Sequence, residues 1–169
     1  MADASYIIER ADRLDGVIIT HAHEDHIGAV GLLYPQLQAP IYARKFTAAI
    51  ATGKMERSGQ NPDAIQVVPA WPAKVDIGPF TVGFVPISHS IPEASALVID
   101  TPAGRVVHSG DFKKDATPLV GEPFDPEMLA DIAKDGVKAL ICDSTNVFSK
   151  APGRSEASLS DDIHELMAK

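Results

Sequence analysis

The hexapeptide His21-Ala22-His23-Glu24-Asp25-His26 follows the apolar run Val17-Ile18-Ile19-Thr20 and constrains the fold more than any other stretch of this chain. The run reads as a buried strand, so three imidazoles and the Asp25 carboxylate must leave its C-terminal end together. Packing asks for no such density of nitrogen and oxygen donors. A divalent cation does, because imidazole and carboxylate are common zinc donors. At this chain's His and Asp content the pattern arises by chance at about four starts in a million, below about one in a thousand over the whole chain.

Strand-like and helix-like segments alternate around that loop. Helices are expected over residues 5–13, 27–33 (stopped near Pro35), 44–56, 126–134 and 155–167. Asp125 before Pro126 is a plausible helix start, with proline at the first helical position. Strands are expected over 41–42, 64–68, 75–77 and 80–85. Segments 96–100 and 105–108 read as a hairpin across Thr101-Pro102-Ala103-Gly104. Residues 139–143 form a further buried strand, in which Cys142 is a small hydrophobe rather than a ligand or nucleophile. Some strands are continuous apolar runs and others alternate, which predicts a mixed sheet with helices outside it, an α/β architecture. Residues 1–150 are expected to form one core, and 151–169 a linker and the start of a further segment.

Other donors lie at other strand ends. His89 follows the strand at 80–85, and Asp111 follows the strand at 105–108 in His108-Ser109-Gly110-Asp111. Taken alone, His89 beside two serines reads as a solvated loop residue and Ser-Gly-Asp as a turn. Beside the histidine loop, both become metal-ligand candidates, since α/β folds gather their sites at one edge of strand ends. His108 alternates with valines and reads as a strand residue, with a supporting role toward a ligand as the alternative. His164 reads as a solvated helix position.

The formal charge of −8 argues against a broad nucleic-acid footprint. It leaves room for a phosphodiester substrate, because bound dications reverse the field inside a cleft. One cysteine excludes an internal disulfide framework. No apolar run approaches a membrane span and no secretory leader is visible, so a cytoplasmic location away from membranes is expected.

His21-x-His23-x-Asp25-His26, then His89, then Asp111, resembles the ordered ligand set of the metallo-β-lactamase superfamily. His89-Ser90-Ile91-Pro92-Glu93, His108-Ser109-Gly110-Asp111-Phe112-Lys113-x-Asp115 and Cys142-Asp143-Ser144-Thr145-Asn146-Val147 resemble its β-CASP branch, and within it the bacterial ribonuclease J family. Gly153-Arg154-Ser155-Glu156 fits that branch's entry into the β-CASP insert. The resemblance implies a metallo-β-lactamase-like αββα sandwich and a metal-dependent ribonuclease whose metal-activated hydroxide attacks RNA phosphodiesters. It implies Zn2+, two ions in a full protein and one or two here, with Mn2+ an acceptable substitute. His21, His23 and His89 would hold one ion, Asp25 and His26 the other, and Asp111 would bridge. Zn–N contacts would be about 2.0–2.1 Å, and the ions about 3.5–4 Å apart. Asp25 would also orient or accept a proton from the attacking water. Asp143 would support the site or the leaving group, or else only cap the Ser144-Thr145 turn.

The later histidines of the β-CASP pattern, one of them a ligand of the second ion, have no counterpart in this sequence. A partial, incomplete fold is therefore expected, with exposed sheet edges as a route to homo-oligomers. Two other functions stay open: a thioester or lactone hydrolase of the same superfamily, and a catalytically silent metal-binding or assembly unit.

Overall fold

Period-two alternation divides the strands' side chains among three apolar layers. The computed structural model describes residues 3–151 and 153–168. Its strands are β1 (Val17–Ile18), β2 (Ile41–Ala43), β3 (Ile65–Val67), β4 (Lys74–Ile77), β5 (Phe80–Pro86), β6 (Ser95–Thr101), β7 (Gly104–His108) and β8 (Ala139–Ile141). They form a parallel three-stranded sheet, β1-β2-β3, and a five-stranded mixed sheet, β4-β5-β6-β7-β8, antiparallel except for the parallel β7–β8 pair. The helices are α1 (Ser5–Ile8), α2 (Glu24–Ile27), α3 (Val30–Leu37), α4 (Lys45–Arg57), α5 (Pro126–Ala133) and α6 (Leu159–Met167).

Ile19, Ile41 and Ala43 point away from the larger sheet and pack with Ile27, Ala48, Ala51 and Met55 under α2 and α4. Ile18 and Tyr42, one residue out of phase, point the other way onto Val82, Phe84 and Leu97 between the sheets. Val85, Ala96 and Val98 occupy the outer face of the larger sheet and pack against Ile132, Met128 and Leu129 of α5. The order is therefore helix, sheet, sheet, helix, with an apolar layer at each junction. The sheets are joined at two points: the Ser95 amide donates to the Thr20 carbonyl at 3.0 Å, and Ala70 bridges to Phe84.

Local signals fix the start of α5 and the turn between β6 and β7. Asp125 accepts the amides of Glu127 and Met128, each at 3.0 Å, with Pro126 first in α5. β6 and β7 form the expected hairpin. The expected helix over 5–13 divides into α1 and a 3-10 turn at Ala11–Arg13, and that over 27–33 divides into α2 and α3.

Three expectations need correction. Pro35 lies inside α3, which runs on to Leu37 and closes with Gln38 in a left-handed conformation, φ 47°. In a final turn, proline forfeits only one donor, and the helix tolerates it. β8 is not buried: it sits at the sheet edge, with Leu140 63% and Ile141 54% exposed. Cys142, just beyond, is an exposed free thiol rather than a core hydrophobe. An apolar run shows that a strand forms, but not whether another element covers it.

Candidate metal centre

Four strand ends meet at one rim. β1 delivers His21 and His23, and α2 then carries Asp25 and His26. β5 leads to His89, β7 to Asp111 and β8 to Asp143. Backbone bonds hold these loops in register: Lys113 N donates to Ser88 O at 2.7 Å, and Ile91 N to His89 O at 2.8 Å. Glu93, at φ 58°, turns its carboxylate onto the amide of Phe46 in the first turn of α4, 2.6 Å away. That contact satisfies a free helix amide and fixes the loop carrying His89.

Two groups of three ligand atoms form, sharing His21: His21, His23 and His89, and His21, His26 and Asp111. His89 Nε2 and His23 Nδ1 face each other at 3.0 Å. Two nitrogens on one tetrahedral zinc stand roughly 3.3 Å apart at ordinary bond lengths, so small ring movements accommodate an ion. Asp111 Oδ2 lies 3.3 Å from His26 Nε2 and 3.9 Å from both His21 Nε2 and His89 Nε2. One carboxylate oxygen thus faces nitrogens of both groups. Asp25 stands at the rim, its side chain 79% exposed and Oδ2 3.5 Å from His26 Nε2, outside both groups.

The electrostatics keep the nitrogens available. His21 is fully buried, and burial, reinforced by His26 and His89, lowers its pKa to about 4. Burial and His23 also push His89 below the usual imidazole range. Neutral imidazole is the ligating form. His21 Nδ1 meets the Thr20 hydroxyl at 3.1 Å, while its buried Nε2 has no hydrogen-bond partner among the described residues. Such an orphan is costly in a folded protein unless something else occupies its lone pair. With Nδ1–H donated to Thr20, Nε2 turns that lone pair into the cluster, the tautomer a metal ligand needs. The donor set therefore fits a divalent cation.

Asp143 contributes differently. Its Oδ1 accepts the Thr145 amide at 2.8 Å and the Thr145 hydroxyl at 2.7 Å. These bonds, the nearby Phe112 amide and His89 hold its carboxyl below the usual range. The turn-capping alternative is thus present, and the same carboxylate also faces the amide that follows Asp111. His108 is more than a strand residue: its Nδ1 accepts the Gly110 amide at 3.0 Å. His164 is solvent-exposed on α6, as expected.

Sequence reasoning missed Ser109, Glu93 and Asp115. Asp115 is buried; its Oδ1 accepts Thr117 N at 3.0 Å and its Oδ2 accepts Glu156 N at 2.9 Å. The Glu156 amide is the main cause of its lowered pKa. It fastens residues 155–156 to the loop behind Asp111. All three lie in the strings that carry the family resemblance, but a hydroxyl or carboxylate in a loop reads equally well as a solvated turn residue, so the strings named no partner for them.

The family model described as Metallo-beta-lactamase superfamily matches residues 3–142. The chain is 38% identical over 168 residues to "Ribonuclease J" of Sinorhizobium meliloti, covering 99% of this chain and 30% of the relative. It is equally 38% identical to "Ribonuclease J" of Corynebacterium glutamicum, covering 99% and 23%. It is 37% identical to "Ribonuclease J 1" of Streptococcus pyogenes, covering 96% and 30%. The chain thus spans 23–30% of the length of these curated relatives. Among solved structures, a protein of unknown function from Enterococcus faecalis V583 superposes with a TM-score of 0.60 at 20% identity, covering 89% of this chain and 38% of that one. That likeness concerns the fold.

Proposed function

This chain belongs to the metallo-beta-lactamase superfamily, and on that premise we propose that it is the ion-holding core of a metal-dependent ribonuclease that hydrolyses RNA phosphodiester bonds. The observation that carries the reading is the pair of ligand groups sharing buried His21, in a chain 38% identical to ribonuclease J over nearly its whole length. Zinc suits the three-histidine group best, and manganese is accepted by the same donors. Divalent ions there would supply Lewis-acid polarisation of a phosphoryl oxygen and an acidified water.

The residues divide the remaining work. His21, His23 and His89 would hold one ion, burial keeping His21 and His89 in the neutral form. His26 and Asp111 would serve the other side, the Asp111 carboxylate facing nitrogens of both groups. Asp25, exposed at the rim beside His26, is free to swing toward substrate and take the proton of an attacking water at its carboxylate oxygen. Asp143 holds the Thr145 turn and faces the Phe112 amide, keeping the loop behind Asp111 in place. The stretch around Glu156 is docked onto Asp115, behind the loop that carries Asp111.

The test is hydrolysis of labelled RNA by the zinc-loaded protein, run beside a thioester and a lactone. RNA cleavage that stops in Asp111→Asn supports the proposal. Thioester or lactone turnover without RNA cleavage overturns it. A second reading, an ion-holding unit without turnover of its own, is favoured by one observation: Asp25 stands outside both ligand groups, so the His26 side has fewer donors. Two ions bound per chain favour the working site; one ion and no RNA cleavage favour the silent unit.

A further inference from the structure

The loop between β7 and Asp111 is fastened more heavily than a turn of its length requires. The Ser109 amide donates to Ile141 O at 2.9 Å and so prolongs the β7–β8 ladder. Its hydroxyl donates to Gly110 O at 2.6 Å and accepts the amide of Asp143 at 2.9 Å. His108 Nδ1 accepts the other end of the same glycine, the Gly110 amide, at 3.0 Å. Gly110 itself is at φ 59°, and a Cβ there would lie 2.7 Å from the Ser95 carbonyl. On the far side, the Phe112 amide faces the Asp143 carboxylate. Asp111 is therefore bracketed, and one oxygen, Ser109 Oγ, is bonded to both the loop carrying Asp111 and the loop carrying Asp143.

We infer that Ser109 is a positioning residue: its hydroxyl sets Asp111 against Asp143, and the grip of Asp111 on a divalent cation depends on it. The inference rests on reading Asp111 as a ligand. Without the hydroxyl, the Asp143 amide loses its acceptor and the Gly110 carbonyl its donor. The two acidic loops then lose their shared side-chain bond, and Asp111 Oδ2 is held less firmly against the three imidazole nitrogens it faces. Groups that orient a ligand typically carry about 10–100-fold of metal affinity.

The experiment is a zinc titration of the whole chain against a chromogenic chelator, for the parent, Ser109→Ala and Ser109→Thr. Melting of the metal-free proteins and amide exchange at Asp143 are followed alongside. Ser109→Ala is expected to bind zinc about 10-fold more weakly and to exchange the Asp143 amide faster, with metal-free melting unchanged. Ser109→Thr, which keeps the hydroxyl, restores both. Parent-like zinc affinity in Ser109→Ala overturns the inference and leaves the ligand set standing. So does an equal loss in the threonine variant, or a loss matched by lower metal-free melting. A parent that takes up no zinc overturns the ligand reading itself, and the inference with it.

Discussion

The donor rim gathers strand ends of both sheets and the β8 edge closes one side of the larger sheet, yet they treat polarity in opposite ways. At the rim, His21 is fully buried with a nitrogen unpartnered among the described residues. At the edge, Leu140 and Ile141 are 63% and 54% exposed. Burial of a polar atom without a partner costs free energy, as does exposure of an apolar face. The rim bears its cost inside a lattice of bonds: Thr20 to His21, Ser88 to Lys113, Ser109 to Asp143 and Glu93 to Phe46. No comparable set of side-chain bonds surrounds β8 among the described residues. The contrast separates a place where geometry is fixed for chemistry from one that offers backbone groups for pairing with a further strand.

The sharpest way to break the contrast is at the rim's centre. His23→Ala should remove the ion of the three-histidine group, read as lower zinc content by elemental analysis, whereas His164→Ala, on exposed α6, should leave it unchanged; equal losses would refute the ligand assignment. Next in size, Gly110→Ala imposes a side chain on a left-handed residue and drives it at the Ser95 carbonyl, 2.7 Å away. Roughly 2–4 kcal/mol of stability should be lost in urea unfolding. A smaller effect follows from His21. Its pKa falls from 6.5 unfolded to about 4 folded, so the unfolded chain binds more protons between those values. Metal-free stability should therefore drop as pH falls from 6.5 to 4, by on the order of 2 kcal/mol. Asp100, held at about 2 by Arg105, contributes stability that is lost only as pH falls below its ordinary 3.8. The two windows are thus separable in a pH series of melts. Smallest of all, Leu140→Lys should shift stability by no more than about 0.5 kcal/mol. If the apolar edge drives self-association, the same change should lower it in sedimentation velocity; an unaltered profile would remove that role from β8.

Much of this was legible from residue patterns, for identifiable reasons. The mix of continuous and alternating apolar runs signalled a mixed sheet with helices outside it, and Asp125-Pro126 marked the start of α5. The ligand candidates were legible because imidazole and carboxylate at strand ends have few competing explanations. Pro35 misled because a proline's cost depends on where in a helix it falls. Cys142 and β8 misled because coverage is a tertiary property that no run of apolar letters encodes. The roles of Ser109 and Asp115 were hidden for a related reason: a hydroxyl or carboxylate in a turn has many uses, and only the partner 34 or 41 residues away selects one.

The Thr20–Ser95 junction has a mechanical corollary. His21, His23 and His26 follow β1 of the smaller sheet, while His89 and Asp111 follow β5 and β7 of the larger. Prising the layers apart would split the donors into two halves. Any cation gripped by both acts as a rivet through the sandwich, so chelation should loosen the seam before it loosens either layer.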